Sequence, residues 1–313
     1  MSPAGLPPAD LAWVRGLVHA ETAVVLDASK EYLVLSRLAP LARRRGLPDV
    51  AAYVAAVRAG PAQGRWDLVE AMTTNETSWF RDVDPFTHLE RVTLPALAAA
   101  RPPGAALRVW SAACSTGQEP YSVAMLLVDA PALAGRRVEV LASDVDRTAL
   151  GRTRDGSYSA LEVARGLPPA LRDRHLERCG DRWRVRERVR SLVRCAEVNL
   201  ARPLPALGTF DVVLCRNVLI YLDAATRRRV LAGVHDLLAP DGLLVLGAAE
   251  TTLGVSGSWA RVEGGRAALF RPLPGAGARD PGAAVPAPRG RTGRAGGPTT
   301  GGPARAARGG GVS

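Results

Sequence analysis

Two apolar runs, each followed by small or acidic residues, constrain the fold of this chain more than any other feature. Residues 107–121, LRVWSAACSTGQEPY, pass from a β-type segment through small residues into a helix-compatible segment. A second apolar run, residues 138–146, contains Asp144, close to the spacing from Gly117 at which an acidic residue binds the ribose in doubly wound folds. The two stretches therefore predict a nucleoside-binding crevice in an α/β fold.

The composition is that of a globular protein with a basic extension. The 313 residues, 47% of them hydrophobic, are enough for one large domain or two smaller ones. No apolar run approaches the roughly 18 residues that a membrane helix needs, and the N-terminus lacks the pattern of a signal peptide, so we expect a cytoplasmic protein. The 4 cysteines form no CxxC pair and the 4 histidines are scattered, which argues against a disulfide framework or a metal site.

The net charge of +11 comes in large part from the end of the chain. Residues 275–313 are almost wholly Gly, Pro, Ala, Thr and Arg, and such a composition predicts a disordered tail. A basic tail could bind nucleic acid or anionic lipid, although a solvated extension without function is the simpler interpretation.

Apolar residues at helical spacing predict a helical N-terminal domain over residues 1–72. One predicted helix has a basic end of Arg37, Arg43, Arg44 and Arg45, which either complement the helix dipole or form a positive face for an acidic partner. Residues 73–89 then place many side-chain donors and acceptors before Trp79 and Phe80. This pattern predicts a linker that closes over a polar ligand.

The second half of the chain alternates predicted strands and helices. Residues 210–215, FDVVLC, read as a buried parallel strand that ends in Arg216 and Asn217, and residues 267–270 read as a final edge strand. Residues 168–196 instead contain alternating runs typical of half-exposed antiparallel strands, with an arginine-rich face that is either solvated or a docking edge. Residues 73–274 therefore fit a Rossmann-like class I methyltransferase sheet with a small inserted antiparallel β-subdomain.

Six motifs in order resemble the CheR family, chemotaxis-type methyltransferases that move a methyl group from S-adenosylmethionine to glutamate side chains of receptors. The resemblance covers roughly residues 10–272 and implies a helical N-terminal domain before the methyltransferase domain. It also implies a partner, the cytoplasmic domain of a methyl-accepting chemotaxis-type receptor. The motifs are TTNETSWFRD, VWSAACSTGQEPYS, ASDVD, NL at 199–200, FDVVLCRNVLIYL and LLAPDGLL.

The resemblance also implies which residues bind the cofactor. Asp144 can accept hydrogen bonds from the ribose hydroxyls, and Asn199 with the Leu200 backbone can bind the adenine edge. Glu119 is placed to meet the ammonium group of the methionine moiety. The full set that the resemblance implies is Asn75, Thr77, Arg81, Glu119, Asp144, Asn199, Leu200, Arg216 and Asn217.

A glutamate carboxylate, with a pKa of about 4.3, is already ionised at neutral pH, so methyl transfer to it needs alignment and not a general base. We predict that Arg81 orients the substrate carboxylate and that Tyr221 packs near the methyl group. The alternatives are that Arg81 caps a helix or pairs with Asp82, and that Tyr221 is a core residue.

The sequence departs from the family pattern in three places. Trp79 stands where Phe is usual, and residues 248–250, Ala-Ala-Glu, lack a Ser before the Glu. The Gly180-Asp181 turn is short, which predicts that no receptor-tail peptide is tethered there.

Two other functions remain open: methylation of a small molecule or RNA, and a noncatalytic S-adenosylmethionine-binding scaffold. Nucleic-acid binding is disfavoured because only 5% of the residues are aromatic.

Overall fold

Four helices form the N-terminal domain in the computed structural model, which describes residues 5–263 and 266–274. Asp49 caps the third helix by accepting a hydrogen bond from the Ala52 N–H at 2.8 Å. The buried faces of the four helices pack around Val34, Leu38 and Tyr53, which confirms the predicted helical domain. These helices are α1 Pro8–Thr22, α2 Glu31–Arg44, α3 Val50–Ala59 and α4 Ala62–Met72, with a 3-10 turn at Ala28–Lys30.

The rest of the described chain alternates helices and strands. A π-helical turn at Leu89–Thr93 joins the helices Asp84–His88 and Leu94–Ala100. Two 3-10 turns lie at Pro131–Leu133 and Leu219–Tyr221. The helices are α5 Asp84–His88, α6 Leu94–Ala100, α7 Gln118–Asp129, α8 Arg147–Asp155, α9 Ala160–Ala164, α10 Pro169–His175, α11 Glu187–Arg190 and α12 Ala224–Leu237. The strands are β1 Leu107–Ala112, β2 Val138–Asp144, β3 Ser157–Ser159, β4 Leu176–Cys179, β5 Arg182–Val185, β6 Val193–Glu197, β7 Phe210–Cys215, β8 Leu238–Leu246, β9 Trp259–Arg261 and β10 Ala268–Pro272.

In the described part of the chain, seven strands form the main sheet in the order β6-β2-β1-β7-β8-β10-β9. The first five are parallel, and β10 runs antiparallel to both of its neighbours. All six residues of β7 are buried, because helices cover both faces of a parallel sheet. Val212 and Leu214 pack into the core on one face, and Val213 and Cys215 into the core on the other. The predicted class I methyltransferase sheet is thereby confirmed.

Three details of the strand predictions are wrong. The predicted subdomain range of 168–196 includes an alternating run at residues 192–195, but the strand there, β6, is a parallel edge strand of the main sheet and pairs with β2. An edge strand is half exposed, so its pattern alternates as an antiparallel strand would. A second alternating run, residues 183–189, predicts one antiparallel strand, but the strand ends at Val185 and the short helix α11 begins at Glu187. The strand predicted at the sheet edge, β10, lies inside the sheet because β9 covers it.

The inserted β-subdomain is a three-stranded antiparallel sheet in the order β3-β5-β4. Its third strand, β3, comes from residues 157–159, before the predicted range of 168–196. The Gly180-Asp181 turn joins β4 to β5 as predicted, with Cys179 opposite Arg182. None of the helices in residues 5–263 and 266–274 is long and apolar enough to cross a membrane.

Candidate active site

One cleft at the carboxyl ends of β1, β2 and β7 collects every residue predicted for the site. Parallel strands present their carboxyl ends at one edge of the sheet, so the loops that follow them meet there. The linker from the helical domain and the loop after α1 close the cleft from the other side. The predicted residues on its wall are Asn75, Thr77, Arg81, Glu119, Asp144, Asn199, Leu200, Arg216, Asn217 and Tyr221.

The turn after β1 brings the Ser115 N–H to Asp144. Ala113 and Ser115 adopt left-handed conformations, with φ of 56° and 53°, which are costly for residues other than glycine. Gly117 has a φ of 97°, and a side chain there would lie 2.8 Å from the Tyr158 hydroxyl. The small residues of this turn are therefore required by its tight path.

Asp144 is a buried carboxylate held by backbone donors. Its Oδ2 accepts from the Ser115 N–H at 2.8 Å, and its Oδ1 accepts from the Asp146 N–H at 2.9 Å. Burial raises the pKa of Asp144, and these backbone hydrogen bonds oppose that shift. Each carboxylate oxygen can accept further hydrogen bonds, so Asp144 can bind the two hydroxyls of a ribose.

Arg216 links three parts of the site. Its Nη1 donates to Glu119 Oε2 at 2.9 Å, and its Nη2 donates to Asp82 Oδ2 at 2.9 Å and to the Arg81 carbonyl at 2.7 Å. The guanidinium lies 5.4 Å from the centre of the Phe86 ring, and the side chain is 1% exposed. Glu119 is also held by the Ser111 hydroxyl at 2.8 Å. The acid that could have paired with Arg81, Asp82, is therefore bound to Arg216 instead.

Arg81 lines the cleft without an acidic partner among the described residues. Its Nη1 donates to the carbonyl of Glu76 at 3.1 Å. Asp82 and Val83, which follow it, have φ of 67° and 36°, so the chain turns sharply here. A cationic side chain is thus presented to the cleft with hydrogen-bonding capacity remaining.

The linker is fixed by Asp146 and Arg37, which the sequence did not assign to the site. The Asp146 carboxylate accepts from Asn75 Nδ2 at 2.6 Å and from the Thr73 hydroxyl at 3.0 Å, while it also caps α8 through the Ala149 N–H. Its place before a helix, two residues after Asp144, predicts the cap but not the contacts with the linker. Arg37, from α2, donates to the carbonyls of Met72 and Thr73 at 2.7 and 2.8 Å.

Asn199 and Tyr221 connect the cleft to the helical domain. Asn199 Nδ2 donates to the Glu21 carbonyl at 2.6 Å, and its Oδ1 accepts from the Ala201 N–H at 2.8 Å. The Val25 N–H donates to the Tyr221 carbonyl at 2.9 Å, in a short antiparallel pairing of the loop after α1 with the loop after β7. Both predicted residues therefore have structural contacts in addition to lining the cleft.

The residues of the cleft fit S-adenosylmethionine. Val145, Val198 and Val218 form an apolar wall for a base, and the Asp144 carboxylate suits a ribose diol. Glu119 presents a carboxylate that suits the ammonium group of an amino acid, and Arg81 presents a cation to the same cleft. The buried Arg216 Nε has no hydrogen-bond partner among the described residues, so Arg216 retains an unused hydrogen-bond donor at the cleft.

A metal-dependent site is not indicated by the side chains of the described ranges. These ranges contain no group of three or more His, Cys, Asp or Glu residues that could hold a metal ion. Burial raises the pKa of the Cys114 and Cys215 thiols, so both are held as neutral thiols.

Comparisons with known proteins agree on the family. Residues 9–73 match the model of the CheR methyltransferase all-alpha domain, and residues 75–267 match that of the CheR methyltransferase SAM-binding domain. The chain is similar to chemotaxis protein methyltransferase Cher2 of Pseudomonas putida, with 37% identity over 260 residues that cover 81% of this chain and 94% of the relative.

Two further relatives also match over most of their length. Chemotaxis protein methyltransferase 1 of Pseudomonas aeruginosa is 39% identical over 249 residues, 77% of this chain and 90% of the relative. The chemotaxis protein methyltransferase of Escherichia coli is 36% identical over 243 residues, 76% of this chain and 82% of the relative. The two family models and these identities establish that the chain belongs to the CheR methyltransferase family and is an S-adenosylmethionine-dependent methyltransferase.

Proposed function

We propose that the chain transfers a methyl group from S-adenosylmethionine to glutamate side chains in the cytoplasmic domain of a chemotaxis-type receptor. The product is a glutamate methyl ester, formed in the cytoplasm during sensory adaptation. The observation that carries the proposal is Arg81, a cation on the cleft wall without an acidic partner in the described residues. Such a group suits an anionic substrate, and the relatives named above are chemotaxis protein methyltransferases.

The proposed cofactor contacts follow from the chemistry of the cleft. Asp144 accepts from the ribose hydroxyls, Glu119 accepts from the ammonium group, and Asn199 with the Leu200 backbone binds the adenine edge. When bound, the cofactor supplies a methyl group on a positively charged sulfur. The remaining proposed contacts come from Asn75, Thr77, Arg81, Arg216 and Asn217, which line the same cleft.

The residues of the chain align the substrate and do not need to move a proton. Neutral pH lies far above the pKa of the substrate carboxylate, which is about 4.3, so this group is ionised and is already a nucleophile. Arg81 donates a charge-assisted hydrogen bond to one carboxylate oxygen and leaves the other to attack. Tyr221 packs beside the reacting carbon and limits the approach of water.

Transfer of tritium from labelled S-adenosylmethionine tests the function directly. We expect base-labile label on a receptor cytoplasmic domain. Label on RNA or on a small molecule would instead support methylation of another nucleophile, and cofactor binding without transfer to any acceptor would support a scaffold.

The role of Arg81 is tested in the same assay. Loss of a charge-assisted hydrogen bond predicts that Arg81→Ala lowers kcat/KM by about 10- to 100-fold. Arg58→Ala is the matched control, because Arg58 is a half-exposed arginine that pairs with Asp10 on the helical domain. Full turnover by Arg81→Ala would contradict the assignment while leaving the fold unaffected.

We further propose that the inserted subdomain does not tether the C-terminal tail of a receptor. Only the two residues Gly180 and Asp181 join β4 to β5, so this hairpin offers little loop to hold a peptide. Titration calorimetry with a receptor-tail peptide is expected to give no binding heat. A measurable affinity would refute this part of the proposal.

A further inference from the structure

Glu250 is a buried carboxylate that binds only backbone among the described residues. It follows the end of β8 and is 7% exposed. Its Oε2 accepts from the N–H groups of Asn217 at 2.7 Å and Gly247 at 2.8 Å, and its Oε1 accepts from the Ile220 N–H at 3.3 Å. A buried charge is costly unless it is satisfied, so these three donors are what stabilises it there.

The three donors belong to two loops that must approach closely. A Cβ atom on Gly247 would lie 2.6 Å from Asn217 Nδ2 and 2.7 Å from Glu250 Oε2, so there is no space for a side chain. The loop after β8 is therefore packed directly against the loop after β7. Glu250 joins these two loops by hydrogen bonds at the point of closest approach.

Asn217 and Tyr221 lie on the loop after β7 and line the cleft. Glu250 holds a different part of this loop with each of its oxygens. Asn217, bound to Oε2, has a φ of 58°, a left-handed conformation that persists only where the surroundings enforce it. Ile220, bound to Oε1, lies in the 3-10 turn that ends at Tyr221. Asn217 and Tyr221 line the cleft, whereas Glu250 itself does not.

We propose that Glu250 is a positioning residue for methyl transfer. One oxygen fixes the conformation of Asn217, and the other fixes the turn that presents Tyr221. This inference rests on the proposed roles of Asn217 in cofactor binding and of Tyr221 in the transfer step. The two oxygens therefore control two separable properties, cofactor affinity and turnover.

Two substitutions test the roles of the two Glu250 oxygens separately. In Glu250→Gln the amide oxygen can keep the bonds to Asn217 and Gly247, but the amide NH2 then faces the Ile220 N–H, and two donors repel. We expect kcat to fall by about 10-fold, with the Kd for S-adenosylhomocysteine changed by less than about 2-fold. Glu250→Ala removes all three bonds, so we expect that Kd to rise by about 10-fold as well.

Asp211→Asn is the matched control. Asp211 is 6% exposed, accepts a backbone hydrogen bond from the Arg108 N–H at 2.8 Å, and lies at the opposite end of β7, away from the cleft. We expect Asp211→Asn to lower the melting temperature without changing kcat or Kd. This control separates a general loss of stability from a loss of positioning.

The inference is overturned if Glu250→Gln keeps the normal kcat. It is also overturned if Glu250→Ala lowers only the melting temperature, as is expected of the control Asp211→Asn. The calorimetric Kd for S-adenosylhomocysteine needs no receptor. If the unsubstituted protein fails to label any receptor, the proposed function fails, whereas an unchanged Kd in Glu250→Ala contradicts the role of Glu250 independently.

Discussion

The two ends of the central strands use charged residues in different ways. At the amino ends of β1 and β7, Arg101 pairs with Asp211 and with Asp241, both at 2.7 Å. At the carboxyl ends, Arg216 pairs with Glu119 and Asp82, but two further charged groups have no counter-ion in the residues described. Asp144 is held by backbone N–H groups, and Arg81 donates to a backbone carbonyl. Charges that neutralise one another stabilise a fold, whereas charges left without counter-ions remain available for a ligand.

Backbone conformation differs between the same two ends. The turns that lead into β1, β2 and β7 reach positive φ at Gly104, Gly135 and Gly208, where the conformation is not strained. The turns that leave β1 and β7 reach it not only at Gly117 but also at Ala113, Ser115 and Asn217, which are not glycine. Strain is therefore concentrated at the cleft, where it fixes the position of ligand-binding atoms.

The largest effect that separates the two ends is expected for Asp144→Ala. The substitution removes the acceptor proposed for the ribose, and we expect the Kd for S-adenosylhomocysteine to rise by about 100-fold, as for a lost pair of hydrogen bonds to a charged group. Isothermal titration calorimetry measures it. Asp241→Ala, a carboxylate change at the amino end, should leave this Kd unchanged, and an equal loss in both variants would contradict the comparison.

The next largest effect is expected on stability, from a substitution at the amino ends of the central strands. Arg101→Ala leaves Asp211 buried without its cation, so we expect the free energy of unfolding to fall by about 2–3 kcal/mol. Urea denaturation measures the change. Cofactor affinity at a temperature where the variant is folded should remain normal, and a large fall in affinity would show that the two ends are not independent.

A smaller effect is a pH dependence of cofactor binding. Burial raises the pKa of Asp144, so its carboxylate becomes protonated at a higher pH than an ordinary aspartate. A protonated carboxyl is a poorer acceptor, and affinity should therefore decline as pH is lowered through that raised pKa. Calorimetry at several pH values should show a weaker dependence for Asp144→Asn, and the same slope in both proteins would exclude Asp144 as the titrating group.

The smallest effect is a pH dependence of stability at the amino end. The hydrogen bonds from Arg101 lower the pKa of Asp241 in the folded protein. The contribution of this pair is therefore complete above the unfolded pKa of about 3.9 and is lost as pH falls through the lower folded value. Urea unfolding of the Arg101→Ala protein should depend less on pH in this acid range than that of the unsubstituted protein.

Continuous apolar runs predicted the central strands because a strand buried on both faces has no other pattern. The run at 210–215 became β7 with its predicted bounds. Edge strands were harder to predict, since β6 alternates like an antiparallel strand and β3, at Ser157–Ser159, is too short to show a period. Their positions depend on which neighbours pack against them.

The resemblance to the CheR motifs implied which residues would share one cleft, and the structure brings all of them to it. Their binding and catalytic roles stay predictions. Asp146, Arg37 and Glu250 were missed as parts of the site because their partners are distant in sequence or are backbone atoms. Tertiary packing, which a single sequence does not display, determines those contacts.

The pairing of the loop after α1 with the loop after β7 limits how freely the two domains can be exchanged among relatives. The Val25 N–H donates to the Tyr221 carbonyl, and the Asp223 N–H donates to the Ala23 carbonyl at 3.2 Å. A chimaera with a foreign helical domain would need a loop of the same length and path to support the Tyr221 turn. Exchange of the helical domain alone is therefore expected to disturb the Tyr221 turn, although separate family models match the two domains.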